Sequence, residues 1–402
     1  MSHKARISLQ IVLLGFLAVA AVAAPPLPIG TEIRVNADTT VSHFHPSVAV
    51  FPDGGFVVVW SSTNGARARF FGSSGKPRGG EIPLKLVGVV NQVLADRDGG
   101  FLAVWTGPGS PNTNVYARRF NANGTPRSKQ IRVNVPSTLN RANPVAAIGP
   151  DGRFAVAWAA EVPVLEFEDV VITNAVARIF TAKGIPVTPE ITLFEGEEPS
   201  PALDDANNAF PTSLAFAPGG TLSALVQTSP SCTRSYLVRV PPGDLTPRSY
   251  SLGQSSCSNY NSVRSSLAMG LDGSVIAAWS DFEVLAQRFS PNGSPRGTVL
   301  DVSTSSSSDQ RDPAVALQAG GSFVVVWAEG EDRDGDGRGI FGRAFTAQGI
   351  PRTDDFRINT TTAGDQDDPS ISAARRGPVV VVWTQTLGER SDVFARVLSA
   401  AK

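Results

Sequence analysis

The chain has 402 residues and nearly balanced charge, 35 Lys+Arg against 36 Asp+Glu. That balance argues against a nucleic-acid partner, which selects for clustered positive charge. With 42% hydrophobic residues, 38 Gly and 30 Pro, the chain reads as globular and rich in turns, and length alone would allow two or three domains.

Residues 1–24 read as a secretion signal. Lys4 and Arg6 give the positive start, an apolar stretch runs through residues 11–20, and Ala21-Val22-Ala23 is a small-residue cleavage site. Pro25, Pro26 and Pro28 cut the apolar run well short of the roughly 20 residues that a membrane anchor needs. No second apolar run could span a membrane, so the expected location is extracellular, at the cell surface or periplasmic. Losing Lys4 and Arg6 makes the mature chain slightly more acidic.

Residues 25–402 form seven copies of one unit, and self-similarity of this period overrides the domain count from length. The first copy reads Pro46-Ser47-Val48-Ala49, Asp53-Gly54, Phe56-Val57-Val58-Val59-Trp60, then Ala68-Arg69-Phe70-Phe71 and Gly75-Lys76-Pro77. All six tryptophans, Trp60, Trp105, Trp158, Trp279, Trp327 and Trp383, hold the same place, at an average spacing of roughly 54 residues. Asp-Gly at Asp53, Asp98, Asp151 and Asp272 is expected to supply the positive φ angles of a tight hairpin. The second strand is continuously apolar, which fits burial on both faces between neighbouring blades.

The copies are out of phase with the chain. Repeats two and six close with Ile131-Arg132-Val133-Asn134 and Phe356-Arg357-Ile358-Asn359, whereas repeat seven stops after Leu398. The missing piece, Ile33-Arg34-Val35-Asn36, stands before repeat one. The expected fold is therefore all-β: a seven-bladed β-propeller of four-stranded blades, with residues 31–36 completing blade seven.

Two repeated residue types look functional and are better read as structural. Arg69, Arg118, Arg178, Arg239, Arg343 and Arg396 share one place in the third strand, with Gln287 in repeat five. Arginine there is expected to join blades by stacking or pairing beside the tryptophan of the neighbouring strand. Repeat four departs most, with Gln227 for tryptophan and both cysteines, Cys232 and Cys257. In an oxidising compartment the two are expected to form a disulfide, the alternative being two free thiols.

This unit resembles the repeats of many bacterial secreted and cell-surface proteins, often found beside haemolysin-type calcium-binding modules. The resemblance covers nearly the whole mature chain and implies an extracellular propeller, while saying little about the ligand. The signatures of WD40 repeats and of sialidase Asp boxes are missing from the unit.

In such blades the long loops share one face, and there the sequence is acidic: Glu161, Glu195, Asp309, Asp312, Asp365, Asp367 and Asp368 among others. One segment is sharper. Asp332-Arg333-Asp334-Gly335-Asp336-Gly337 begins like a calcium loop, with Asp332, Asp334 and Asp336 as candidate Ca2+ ligands, although the twelfth position is Arg343 and not the glutamate of an EF-hand. An exposed polar hairpin is the alternative. Mature histidines are His43 and His45 only, so a histidine triad or three-histidine metal site is nearly excluded.

The expected function is a binding or adhesion module, calcium-stabilised, for an unknown extracellular ligand, glycan or protein. The alternative is an extracellular glycan-active hydrolase or lyase using carboxylates of the acidic face. A structural envelope component is a third possibility. Catalysis would demand carboxyl groups brought together near the ring axis.

Overall fold

The computed structural model describes residues 28–110, 112–163, 171–197, 208–229, 234–254, 264–307, 309–330, 333–374 and 377–399. It has seven four-stranded antiparallel sheets arranged as blades of a propeller. Blade one is built from His43–Val50, Phe56–Ser62, Arg67–Phe71 and Ile82–Pro83, from the axis outward, and blades two to six repeat that order. Blade seven takes Asp365–Ala373, Val379–Leu387 and Arg390–Leu398 in sequence, and its outer strand is Pro28–Arg34. The N-terminal strand thus closes the ring.

Register shows that this closure is native to the repeat. Ile33 lies opposite Ala395 as Ile131 lies opposite Ala117. Asn36 Oδ1 accepts from Val393 N at 2.8 Å, as Asn134 does from Val115 N at 2.9 Å and Asn359 from Ile340 N at 2.8 Å. The same asparagine finishes the outer strand of each of these blades, and only in blade seven does it come from the other end of the chain.

Each second strand carries the core. Every residue of Phe56–Ser62 and of Phe323–Glu329 is buried, because a strand inside a blade meets a neighbouring blade on each face. Hydrophobic clusters accordingly span adjacent blades; Trp60 belongs to one with Val35, Val380 and Val393 across the blade one–seven seam. The tryptophans are all buried, as their single repeat position implied.

The repeated arginines do join blades, but by a different contact from the one expected. Arg69, Arg178, Arg343 and Arg396 donate to Val35 O, Val133 O, Val302 O and Ile358 O, each on the preceding blade, at 2.7, 3.2, 2.9 and 2.5 Å. Their aromatic partner is not tryptophan. Arg69, Arg178 and Arg343 lie over Phe71, Phe180 and Phe345, because residues two apart on a strand share a face. Acidic residues add a second tie: Glu190 accepts from Val135 N at 2.7 Å, and Glu32 accepts from Thr360 N at 2.6 Å.

Two local expectations need correction. In the Asp-Gly turns only the glycine has positive φ, 82° at Gly54, while Asp53 accepts from Gly55 N at 2.9 Å and so stabilises the turn with its side chain. The second-to-third loop of blade three, which its sequence would place over Ala159 to Thr173, is also shorter than that. Residues 159–163 continue pairing, from Ala159 opposite Ala175 to Pro163 opposite Val171, so the hairpin projects past the blade.

Candidate functional site

The first residues of each inner strand stand beside the end of the second strand, as His43 does beside Ser62, so they lie on the face from which the second-to-third loops leave. Four of these strands carry a bulge just before the repeat's proline. His45, Asn143, Asp312 and Asp368 occupy that place with φ of 51°, 50°, 52° and 56°. Positive φ is unusual for residues with a side chain, and a bulge re-aims that side chain out of the strand's alternation.

Three of the inner strands, with Arg264 at the head of a fourth, bring charges together at the axial mouth. Arg264 donates its NH2 toward Asp368 Oδ1 at 2.8 Å and holds its Nε 3.8 Å from Asp312 Oδ1. His45 Nδ1 sits 3.3 Å from the other oxygen, Asp368 Oδ2. Blades one, five, six and seven each contribute one member. The acids lie deeper: the side chains of Asp312 and Asp368 are 14% and 21% exposed, whereas those of Arg264 and His45 are 45% exposed. Burial pushes the Asp368 carboxyl up, but the hydrogen bond from His45 and the nearby Arg264 outweigh it and hold the group below the usual carboxylate range. Asp368 is thus an ionised anchor for two exposed donors.

His43 is structural. Its Nδ1 accepts from Trp60 Nε1 at 3.0 Å and its Nε2 faces Asp38 O at 2.7 Å, which ties the buried ring into blade one. Sequence reasoning places His45 near the closing strand and counts Asp312 and Asp368 within a diffuse acidic face. It does not single out Arg264.

Among the described residues, several other carboxylates of that face are engaged. Glu161 accepts from Asn140 N at 2.9 Å, Arg311 pairs with Asp309, and Arg338 grips Asp367 with bonds of 2.7 and 2.8 Å while reaching Asp365 at 3.4 Å. Asp367 in turn raises the pKa of Arg338.

In the blade-six loop, Asp332 lies outside the described residues. Asp334 is buried; its Oδ2 accepts from Asn359 Nδ2 at 2.7 Å and its carbonyl from Arg357 at 2.9 Å. Asp336 Oδ2 accepts from Gly364 N, leading into blade seven, at 3.1 Å. Among the described residues no group of three His, Cys, Asp or Glu side chains is placed to hold a metal. Residues 1–24, Cys232 and Cys257 also lie outside the described residues. No described helix is long and apolar enough to cross a membrane.

No protein-family model matches the chain. No curated protein matches it either. Solved structures do. A protein of unknown function from Dyadobacter fermentans superposes with a TM-score of 0.54 at 12% identity, covering 93% of this chain and 99% of that one. The Cps50 (Swd1) β-propeller domain of Myceliophteria thermophila gives 0.54 at 12% identity, covering 94% and 100%. A family PL25 ulvan lyase bound to -[GlcA(1-4)Rha3S]- gives 0.53 at 9% identity, covering 90% and 95%. At such identities the likeness is one of fold.

Proposed function

We propose that the chain is a secreted binding module that holds a neutral saccharide at the axial mouth of its long-loop face. The observation that carries this is the meeting of His45, Arg264, Asp312 and Asp368 from four different blades. One guanidinium against two carboxylates, with His45 beside them, leaves at most a single net negative charge, so neither a strongly anionic nor a strongly cationic ligand is favoured. Adjacent hydroxyls, each able to donate and accept, suit a site that offers a guanidinium, an imidazole and two carboxylates at fixed spacing. A propeller of this shape is a lyase bound to a saccharide, which supports the fold as a platform for such ligands without lending this chain its chemistry.

The hydrolase or lyase alternative through paired carboxylates is supported less well. It needs one carboxyl kept protonated near pH 7, whereas Asp368 is held ionised and both axial acids face Arg264. The direct test is an array of neutral and acidic saccharides probed with the wild type and Arg264→Gln. Neutral saccharides should be retained by the wild type and bound at least about tenfold more weakly by the variant, the loss of one charged hydrogen bond. Equal retention by both proteins would sink the proposal.

Calcium at Asp332, Asp334 and Asp336 is a separate proposal, to which the described geometry lends little support. Asp334 is turned to Asn359, and Arg338 already neutralises the neighbouring Asp365 and Asp367. A rise in Tm with millimolar calcium over EDTA, lost in an Asp334→Ala, Asp336→Ala double variant, would support a structural ion. Equal melting in both buffers would leave the loop a hydrogen-bonded hairpin.

A further inference from the structure

Blades two and five are the two in which an arginine follows the repeated third-strand position, and they treat that arginine differently. In blade two, Arg119 pairs with the buried Asp96, and Arg127 pairs with Asp98. The recess they line, about 570 Å³ on the short-turn face, contains both charges and countercharges. Blade five has the same two arginines, Arg288 and Arg296, at the corresponding places. The residue corresponding to Asp96 is Gly270, and Asp272, corresponding to Asp98, turns its Oδ1 to Ser274 N and Oγ at 3.0 and 2.6 Å. Neither Arg288 nor Arg296 has an ion-pair partner among the described residues.

The recess here, between blades five and six, is about 600 Å³ and is walled by Met269, Leu271, Phe289 and Leu317 beside the two guanidiniums. Arg288 is fixed by a bond from its NH1 to Ala347 O at 2.9 Å, and its buried Nε has no partner. Burial, and then the neighbouring Arg296, lower the Arg288 pKa, while the bonds from Ser274, and in turn Arg296, lower that of Asp272, the carboxylate that lines the recess. In blade two the Nε of Arg119 is likewise unpartnered, and the difference is the carboxylate of Asp96 at its NH1. In blade five its place is open to a ligand.

We propose that this recess binds a small organic carboxylate with an apolar body, its carboxylate meeting Arg288 and Arg296 in the role Asp96 has for Arg119. The volume suits a single small molecule, and guanidinium pairs favour the two-oxygen geometry of a carboxylate. The site is on the face opposite the axial cluster, so it stands or falls separately from the saccharide proposal.

The test is titration of the mature protein with benzoate and hexanoate, and with the neutral benzamide and hexanamide, by calorimetry and by NMR shifts. The carboxylates should bind saturably and the amides at least tenfold more weakly. Arg288→Gln should weaken benzoate at least tenfold. Because that variant also loses the bond to Ala347, a second control is the double variant Gly270→Asp, Ser274→Gly: a Cβ at position 270 would stand 2.6 Å from Asp272 Oδ1 and 2.8 Å from Ser274 Oγ, and glycine, as at Gly100 of blade two, removes the second contact. With folding checked by circular dichroism, its new carboxylate should compete benzoate out, as should that of Gly270→Asp alone. Amides that bind as well as acids, absent benzoate binding, or full benzoate binding by Gly270→Asp would each overturn the proposal.

Discussion

The rim of the ring and its axis use charged side chains in opposite ways. Around the rim the same contacts recur in several blades: arginine to the carbonyl of the previous blade in four of them, asparagine at the end of the outer strand, acid to the backbone of the preceding connection. At the axis the residue type changes between blades, aspartate alone occurring twice. The residue heading the inner strand is His45, Asn143, Arg264, Asp312 or Asp368, and several are held in a positive-φ bulge that costs on the order of 1 kcal/mol or more. Repetition marks what closes the ring, and departure from repetition marks where the molecule can recognise something else.

That contrast can be broken most forcefully at the seam. Deleting residues 25–36 removes the outer strand of blade seven, the buried Val35, the carbonyl that receives Arg69 and the asparagine that receives Val393 N. The expected result is a loss on the order of 5 kcal/mol or frank aggregation through the exposed edge. A truncated protein that melts like the mature chain would mean that the strand is dispensable.

A single rim contact should matter less. Arg343→Met removes the bonds to Val302 O at 2.9 Å and Thr353 O at 3.0 Å and leaves two carbonyls unpaired. About 1–3 kcal/mol of stability should go, measured by urea unfolding, with axial binding intact.

The smallest effect is expected at Asp368. Its folded pKa lies below its unfolded value, so its contribution to stability is complete above the unfolded value and disappears as pH falls through the folded one. Asp368→Asn should therefore be less sensitive to acid than the wild type below the ordinary carboxylate range. An unchanged acid-unfolding curve would show that the His45 and Arg264 contacts do not persist in solution.

The rim is legible in the sequence because it repeats. Six tryptophans at one spacing, the Asp-Gly turns and the displaced Ile33-Arg34-Val35-Asn36 segment specify strand count, order and closure through burial and turn chemistry alone. Contacts set by side-chain direction are less legible: whether Arg69 meets a tryptophan or Phe71 depends on which face of the strand it shares. The axial site is hardest to see, since its members lie in four repeats hundreds of residues apart and each looks unremarkable alone. One signal is present: in four repeats the position before the fixed proline is polar and not constant, His45, Asn143, Asp312 and Asp368. The acidic loops draw attention away from it, because Arg311, Arg333 and Arg338, which neutralise them, stand within the same segments.

The most direct test compares Arg343→Met and Arg264→Gln in two measurements on the same samples, urea unfolding and binding of a neutral saccharide retained on the array. The account requires them to separate: the rim variant loses about 1–3 kcal/mol and keeps its affinity, while the axial variant stays within about 1 kcal/mol of wild type and binds at least tenfold more weakly. If both variants lost stability and affinity together, or if the axial variant bound as the wild type does, the division between rim and axis would be contradicted.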